Sequence, residues 1–384
     1  MRILFLHTAY SEVTPEYKVH LNLVKHLAKE QVEALFIWQS PTPHHVTENE
    51  RWQVITHDFG RNMFIEPQPS RAQRGLMLLK QYPSSVNLLK KSAKAFQPDL
   101  IYTSQQTHDM RYAKMLSKYL QVPHVIHAHY TIGEWLGKGV LKDIQKAKHL
   151  FTVSEFVRQN ALLCGVTYEN VHTIPNTVDY KGFPNIENPK QLLTEFGWQE
   201  DNQVILAVGR LDPGKGHDDL LRAFADVIKD VPEARVLICG TPSSNHGFEE
   251  ELKHIAEELD IASLVHFAGY RTDIPKLVQC ADLFCLPSIM EPFGLVYLEA
   301  MAAKLPVVAY YSGGVPEIVL HERTGLLSYP DNIPTLAENL TTLLKKPDYA
   351  KQLGQAGFER AIKEFNPDKV SAYWFSLLQR FLCN

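Results

Sequence analysis

Two carboxylates of this chain are placed for chemistry, Glu291 and Glu299, in a Glu-x7-Glu arrangement. Glu299 stands inside the apolar run Leu295-Val-Tyr-Leu-Glu-Ala-Met-Ala302. A carboxylate buried there is costly unless it is hydrogen-bonded, and vicinal hydroxyls such as those of a ribose are good partners for it. An exposed helix face is the competing reading. Glu291 lies in the turn-like Glu-Pro-Phe-Gly just before that run. It could accept sugar hydroxyls or simply cap backbone amides at a helix start. Two cations form a second group: Arg210 and Lys215 flank Pro213-Gly214 in the loop Arg210-Leu-Asp-Pro-Gly-Lys-Gly216. Cations converging from one loop suit a diphosphate; a solvated basic turn fits the local pattern equally well. The loop lacks Gly-x4-Gly-Lys-Ser/Thr and is not a P-loop. Gly313, Gly314 and the amides near Glu317 could approach a phosphate or sugar closely. Three histidines, His124, His127 and His129, fall within one strand-like stretch, His127 and His129 on the same side of it. With no carboxylate or cysteine partner nearby in sequence, and no Asp-x-Asp pair, no metal is expected. Core or loop histidines with satisfied hydrogen bonds are the plainer reading.

Stepping outward, each group is framed by elements of one kind. Asp282-Leu-Phe-Cys-Leu-Pro287 reads as a buried strand ending at a proline, and Val307-Val-Ala-Tyr-Tyr311 as the next strand. The unit is strand, loop, helix, strand, glycine loop. Loops of this kind, feeding helix N-termini, are where open α/β sheets bind anions and nucleotides. Gln203-Val-Ile-Leu-Ala-Val-Gly209 is the strand before the cationic loop, and His217 to Val227 the helix after it. Further strands are expected at Arg235–Gly240 and Val265–Gly269, with helices across Glu249–Glu258 and Ile274–Cys280.

The first half opens the same way. Arg2–Leu6 reads as a strand, Val19–Glu30 as a helix and Gln31–Ile37 as a strand, a βαβ beginning that implies a mostly parallel sheet. The intervening loop has no glycine, so a dinucleotide fingerprint is absent. More strands are expected at Asp99–Thr103, Val122–His129 and His149–Val153, with Ser154 as a helix N-cap. Residues 41–70 carry no readable pattern. Segment 71–96 sets Arg71, Arg74, Lys80, Lys90, Lys91 and Lys94 among leucines and reads as two helices broken near Pro83. A solvated basic face is the plain reading; a surface for anionic lipid or an anionic acceptor is the sharper one.

The chain thus reads as two consecutive α/β domains: 1–180 as a Rossmann-like domain, 181–202 as a linker region, 203–365 as a second Rossmann-like domain, and 366–384 as a terminal helix. Val370, Trp374 and Leu378 give that last helix its apolar stripe. Length 384, 45% hydrophobic and 21% charged residues describe globular domains with sizeable cores. A net charge of -4 gives no case for nucleic acid. Five scattered cysteines without a CxxC pair suggest free thiols in a reducing compartment. No apolar run is long enough for a spanning helix, and Met1–Leu6 is too short for a signal peptide.

Taken together, Gly209-Arg210 with Lys215-Gly216, Pro287-Ser288, the Glu291/Glu299 pair and Ser312-Gly-Gly-Val-Pro-Glu317 resemble glycosyltransferase family 4, a family of retaining enzymes with the two-domain GT-B fold. Ile174-Pro-Asn-Thr-Val-Asp179 and Thr324-Gly-Leu-Leu327 add to the resemblance, which covers nearly the whole chain. It implies two Rossmann-like domains facing across a cleft, 1–180 on the acceptor side and 203–365 on the donor side, with 366–384 as a C-terminal crossover helix packing back on the first domain. It also implies transfer of a sugar from a nucleoside-diphosphate sugar, with uridine as the expected base, to a hydroxyl of a glycan or glycolipid acceptor. No cofactor or metal is implied. Arg210 and Lys215 would hold the diphosphate and stabilise the leaving group. Glu299 would take the ribose hydroxyls and Glu291 the sugar hydroxyls, with Phe293, Gly294 and Leu295 beside the donor. His129 would help position the transferred sugar. A cytoplasmic protein, at the inner face of the cell membrane or free of it, is the expected setting. One departure stands out: the family's usual Gly-Gly pair before the first helix corresponds here to Thr14-Pro15, and proline has no N–H to give. A nucleotide-sugar epimerase or phosphorylase on the same scaffold, or a non-catalytic sugar-nucleotide-binding protein of polysaccharide assembly, are the alternatives.

Overall fold

The structure, a computed structural model, describes residues 1–8, 15–40, 42–47, 49–59, 86–180, 184, 186–242 and 247–383, without the side chains of residues 15, 44 and 45. Thr14 and residues 71–85 of the basic segment lie outside them. The chain divides into two compact units, Met1–Pro175 with Pro367–Asn384, and Asn176–Asn366.

The first unit is built on seven strands: β1 (Arg2–His7), β2 (Glu33–Gln39), β3 (Gln53–His57), β4 (Leu100–Ser104), β5 (His124–Ala128), β6 (Leu150–Thr152) and β7 (Val171–Thr173). Their order is β3-β2-β1-β4-β5-β6-β7, and every pair is parallel. Strands β1, β4 and β5 are almost wholly buried, as parallel strands covered by helices on both faces must be. The sequence gives little sign of β3, a half-buried edge strand of mixed composition. The first helix spans Pro15–Lys25, earlier than its apolar period implies, and buries Tyr17, His20, Leu21 and Val24.

The helix Pro367–Cys383 belongs to this unit. Its stripe is buried, Val370 at 5% and Trp374 and Leu378 at 0% exposure. Trp374 meets the Tyr102 ring edge-on at 5.6 Å, and Phe381 stacks on His149 at 3.9 Å. Such contacts, with the His26–Asp368 pair at 2.9 Å, hold the end of the chain against its beginning.

The second unit carries β8 (Gln203–Val208), β9 (Ala234–Cys239), β10 (Val265–Phe267), β11 (Leu283–Leu286), β12 (Val307–Tyr310) and β13 (Gly325–Ser328). The order is β10-β9-β8-β11-β12-β13, again parallel throughout. The helix His217–Asp230 buries Leu220, Leu221, Phe224 and Val227 against it, as the sequence period requires. Each sheet reverses its winding once, between β1 and β4 and between β8 and β11. At such a switch point the loops leave the carboxyl ends of two adjacent strands in opposite directions and open a crevice. Among the described residues no helix is long and apolar enough to cross a membrane.

Candidate active site

The β8/β11 switch point gathers most of the residues singled out from the sequence. The loop after β8 carries Arg210 and Lys215, and the loop after β11 carries Glu291, Phe293 and Gly294. Lys215 Nζ donates to Glu291 Oε2 at 2.7 Å, the two side chains being 21% and 12% exposed. At this depth the pair is screened less than a surface ion pair. Arg210 lies on the same loop but stays exposed and pairs with Asp212 at 3.4 Å. Glu299 is half-buried on the helix Leu295–Ala302, whose N-terminus is formed by Gly294 and Leu295. The N-terminus of such a helix carries amides without i−4 partners and the positive end of the dipole.

These loops are laced to one another by backbone. Ile289 N donates to Gly214 O at 2.9 Å, and Gly314 N to Glu291 O at 2.8 Å. Ser288 Oγ donates to Gly214 O at 3.3 Å, and Ser312 Oγ bonds Ile289 O. The fit is tight enough to demand glycine at two points. At Gly216 (φ 77°) a Cβ would stand 2.0 Å from Pro287 O, and at Gly313 (φ 57°) one would stand 2.2 Å from Glu291 O. Beneath the cationic loop His217 is buried, its Nε2 3.2 Å from Arg210 O. Burial pushes its pKa down to about 4, so it is neutral and can donate to that carbonyl. Tyr297 OH, equally buried, donates to Leu286 O at 2.8 Å and ties the helix to the end of β11.

In the first unit the three histidines of β5 and its exit divide by surroundings. His124 Nε2 lies 2.8 Å from Thr103 Oγ1. His127 is fully buried with Nδ1 3.0 Å from Tyr102 Oη, and burial pushes its pKa down to about 3. His129, just past β5, is half-buried, and its Nε2 is 3.2 Å from His20 Nε2. His20 in turn places Nδ1 3.0 Å from His7 Nε2. Burial first, and neighbouring imidazoles second, hold His20 and His129 well below the ordinary histidine pKa. One ring nitrogen from each of His20, His127 and His129 lies within 4.8 Å of the others, a spacing that could hold a metal ion.

The first sheet's switch point has its own buried carboxylate. Asp109 accepts from Thr8 N at 2.9 Å, Thr8 Oγ1 at 2.7 Å, Ser104 Oγ at 2.7 Å and Tyr17 OH at 3.2 Å. Burial raises its pKa to about 6 against the pull of those hydrogen bonds. Glu16, also buried, accepts from Gln106 Nε2 at 2.9 Å and Tyr130 OH at 3.2 Å. Sequence reading misses His20, His217, Asp109 and Glu16. The one available signal was that His20 falls on the Tyr17–Val24 face, where a polar residue on a core-facing stripe asks for a partner.

Two family models match the chain: "Glycosyltransferase Family 4" over residues 18–181 and "Glycosyl transferases group 1" over residues 190–360. An uncharacterized glycosyltransferase of Haemophilus influenzae is 27% identical over 302 residues, 78% of this chain and 82% of that one. Alpha-maltose-1-phosphate synthase of Mycolicibacterium smegmatis is 29% identical over 276 residues, 64% of this chain and 70% of that one. Among solved structures, Anabaena HepE in complex with UDP-glucose superposes with a TM-score of 0.82 at 22% identity, covering 99% of this chain and 100% of that one. Fold, paired family models and relatives converge: the chain is a GT-B-fold glycosyltransferase, family-4-like, that moves a sugar from a nucleotide-sugar donor to an acceptor.

Proposed function

We propose that the chain is a retaining glycosyltransferase whose donor is a UDP-sugar and whose acceptor is a hydroxyl of a glycan or a lipid-linked glycan. The observation that carries the donor site is the Lys215–Glu291 pair at 2.7 Å, on the two loops of the β8/β11 switch point. In this reading the donor diphosphate takes over Lys215, and Arg210 swings from Asp212 to join it. Both cations then stabilise the charge that grows as the nucleoside diphosphate leaves. Glu291, released from Lys215, accepts sugar hydroxyls. The backbone at Phe293, Gly294 and Leu295 offers amide dipoles beside the donor, and Glu299 accepts from the ribose. His129 contributes a contact to the transferred sugar. No side chain of the set is placed as an enzymatic nucleophile. Attack by the acceptor on the face the diphosphate leaves, through an oxocarbenium-like state, accounts for retention.

The HepE structure, a complex with UDP-glucose, supports uridine as the base through likeness of fold. The setting proposed is the cytoplasmic side of a membrane, in synthesis of envelope polysaccharide or glycolipid. Five free cysteines support a reducing compartment. A basic helical face at residues 86–96, with Lys91 and Lys94 exposed, supports contact with anionic lipid.

Donor binding and turnover of Lys215→Ala and Glu299→Ala test the assignment. Each is expected to weaken binding of UDP-glucose or of the cognate donor roughly 10- to 100-fold by calorimetry, the worth of about one or two charge-assisted hydrogen bonds. Unchanged affinity and unchanged turnover in both purified variants would sink it. Thermal-shift screening of uridine, guanosine and adenosine diphosphate sugars identifies the base. The anomeric configuration of the product, read by NMR, decides retention.

A further inference from the structure

The histidines of the first unit form a chain: His129 Nε2 at 3.2 Å from His20 Nε2, and His20 Nδ1 at 3.0 Å from His7 Nε2. We propose that His20, seated on His7, is a positioning residue that fixes the tautomer of His129, so that His129 presents an Nδ1–H donor to a donor-sugar or acceptor oxygen. The assignment of His129 to the sugar rests on the function proposed above; the tautomer does not.

The direction follows from counting protons. Burial holds His7, His20 and His129 well below the ordinary histidine pKa, so each ring is neutral and carries one N–H. Two arrangements satisfy both contacts. If His129 Nε2–H donates to His20, then His20 Nδ1–H donates to His7 Nε2, and the His7 proton must sit on Nδ1. Among the described residues, His7 Nδ1 is fully buried with no partner. An orphaned buried N–H is among the rarest and costliest groups in a folded protein. In the reverse arrangement His7 Nε2–H donates to His20 Nδ1 and His20 Nε2–H donates to His129 Nε2. Only a lone pair is then left over at His7 Nδ1, the lesser cost, and His129 must carry its proton on Nδ1.

Packing holds the rings in that alignment. His7 stacks on Tyr17 at 3.8 Å with an interplanar angle of 9°, and meets Trp38 edge-on at 4.4 Å. His20 meets Tyr102 edge-on at 5.0 Å. His7 and His20 are fully buried while His129 is half-buried, so the chain runs from the core to a single accessible end.

Two-bond ¹⁵N–¹H correlation spectra of histidine-labelled, chelator-treated protein test this, since they separate Nδ1–H from Nε2–H rings. The wild type is expected to show His129 as Nδ1–H, and His20→Phe to return it to the Nε2–H form. His7→Phe should also lose the Nδ1–H form. His7→Gln, whose amide can still donate to His20 Nδ1, should keep it, and the position 7 pair decides the matter if His20→Phe does not fold. With UDP-glucose as probe, His20→Phe and His7→Phe are each expected to lower kcat for diphosphate release about tenfold with donor KM unchanged, whereas His7→Gln should keep most of it. An Nε2–H ring at His129 in the wild type overturns the proposal, as does an Nδ1–H ring that survives His20→Phe and His7→Phe. One equivalent of a transition metal retained on His20, His127 and His129 overturns it as well. A wild type inert toward every donor refutes the function proposed above and leaves the spectra to decide the tautomer.

Discussion

Asp109 shows how far a single residue's surroundings reach. Four hydrogen bonds from Thr8, Ser104 and Tyr17 favour its charged form, yet burial outweighs them and its pKa rises to about 6. A carboxyl whose folded pKa lies above its unfolded value near 3.8 binds a proton more tightly when folded. That stabilisation is complete below about pH 4 and is lost as pH rises through about 6. The stability of the wild type relative to Asp109→Asn should therefore fall by about 2 to 3 kcal/mol between pH 4 and pH 7, since one pKa unit is worth about 1.4 kcal/mol. Urea denaturation of both proteins across that range checks it; parallel curves would show that Asp109 titrates normally. The Lys215–Glu291 pair is the residue-scale feature of the proposed donor site. A free Lys215 would be available at once to phosphate, whereas the paired one must exchange a carboxylate for it. Replacing Glu291 by Gln should thus leave diphosphate binding intact or stronger while weakening binding of the full donor about tenfold, measured by titrating UDP and UDP-glucose in the same calorimeter.

At the scale of elements, the site on the second unit is made by three loops leaving β8, β11 and β12, neighbours in the sheet. Their backbones approach closely enough that Gly313 cannot carry a side chain without moving Glu291. Gly313→Ala adds a methyl 2.2 Å from Glu291 O at a positive φ, so both sterics and backbone strain oppose it. The expected cost is about 2 to 3 kcal/mol of stability by chemical denaturation, with donor affinity falling as Glu291 shifts. Loss of affinity without loss of stability would mean that the loop simply re-forms elsewhere. On the first unit the comparable element is the helix Pro15–Lys25, which brings Glu16, Tyr17 and His20 to the β1/β4 switch point in one turn. Pro15 opens it, a position where the missing N–H is no loss. The Thr14-Pro15 departure from Gly-Gly is thereby compatible with a regular helix start.

At the scale of the molecule, each unit is a parallel sheet with helices on both faces, and the last helix returns to the unit that began the chain. Trp374 at its centre closes over Phe5 and Tyr102, so the first unit is completed only when the helix Pro367–Cys383 joins it. The helical face at residues 86–96 buries Val86, Leu89, Ala93 and Phe96 and leaves Lys91 and Lys94 exposed, with Lys90 over the ring of Tyr119 at 5.1 Å. A surface of this kind gains about 1 kcal/mol per cation near an anionic bilayer. Triple substitution of Lys90, Lys91 and Lys94 by Glu should abolish co-sedimentation with phosphatidylglycerol vesicles while leaving donor binding unchanged. Equal sedimentation of wild type and variant would assign these lysines to ordinary solvation.

The sequence by itself determined the alternation of buried strands and amphipathic helices, the two-unit plan and the candidate residues in the loops after β8 and β11. These are local properties: a buried parallel strand reads as an apolar run, a helix shows its period, and loop glycines and paired charges stand out between them. The stripe of Val370, Trp374 and Leu378 was legible for the same reason. The half-buried edge strand β3 was not, because neither a continuous apolar run nor strict alternation marks it. Tertiary structure alone decided which groups meet. Lys215 and Glu291 are 76 positions apart, and His20 and His129 are 109 apart. No local pattern records such a pairing, since it arises only when the sheet reverses its winding and sets two distant loops side by side. His129 was legible as a candidate from its place in the β5 stretch; that its Nε2 is already engaged by His20, and that His20 rests on His7, became visible only in the folded chain.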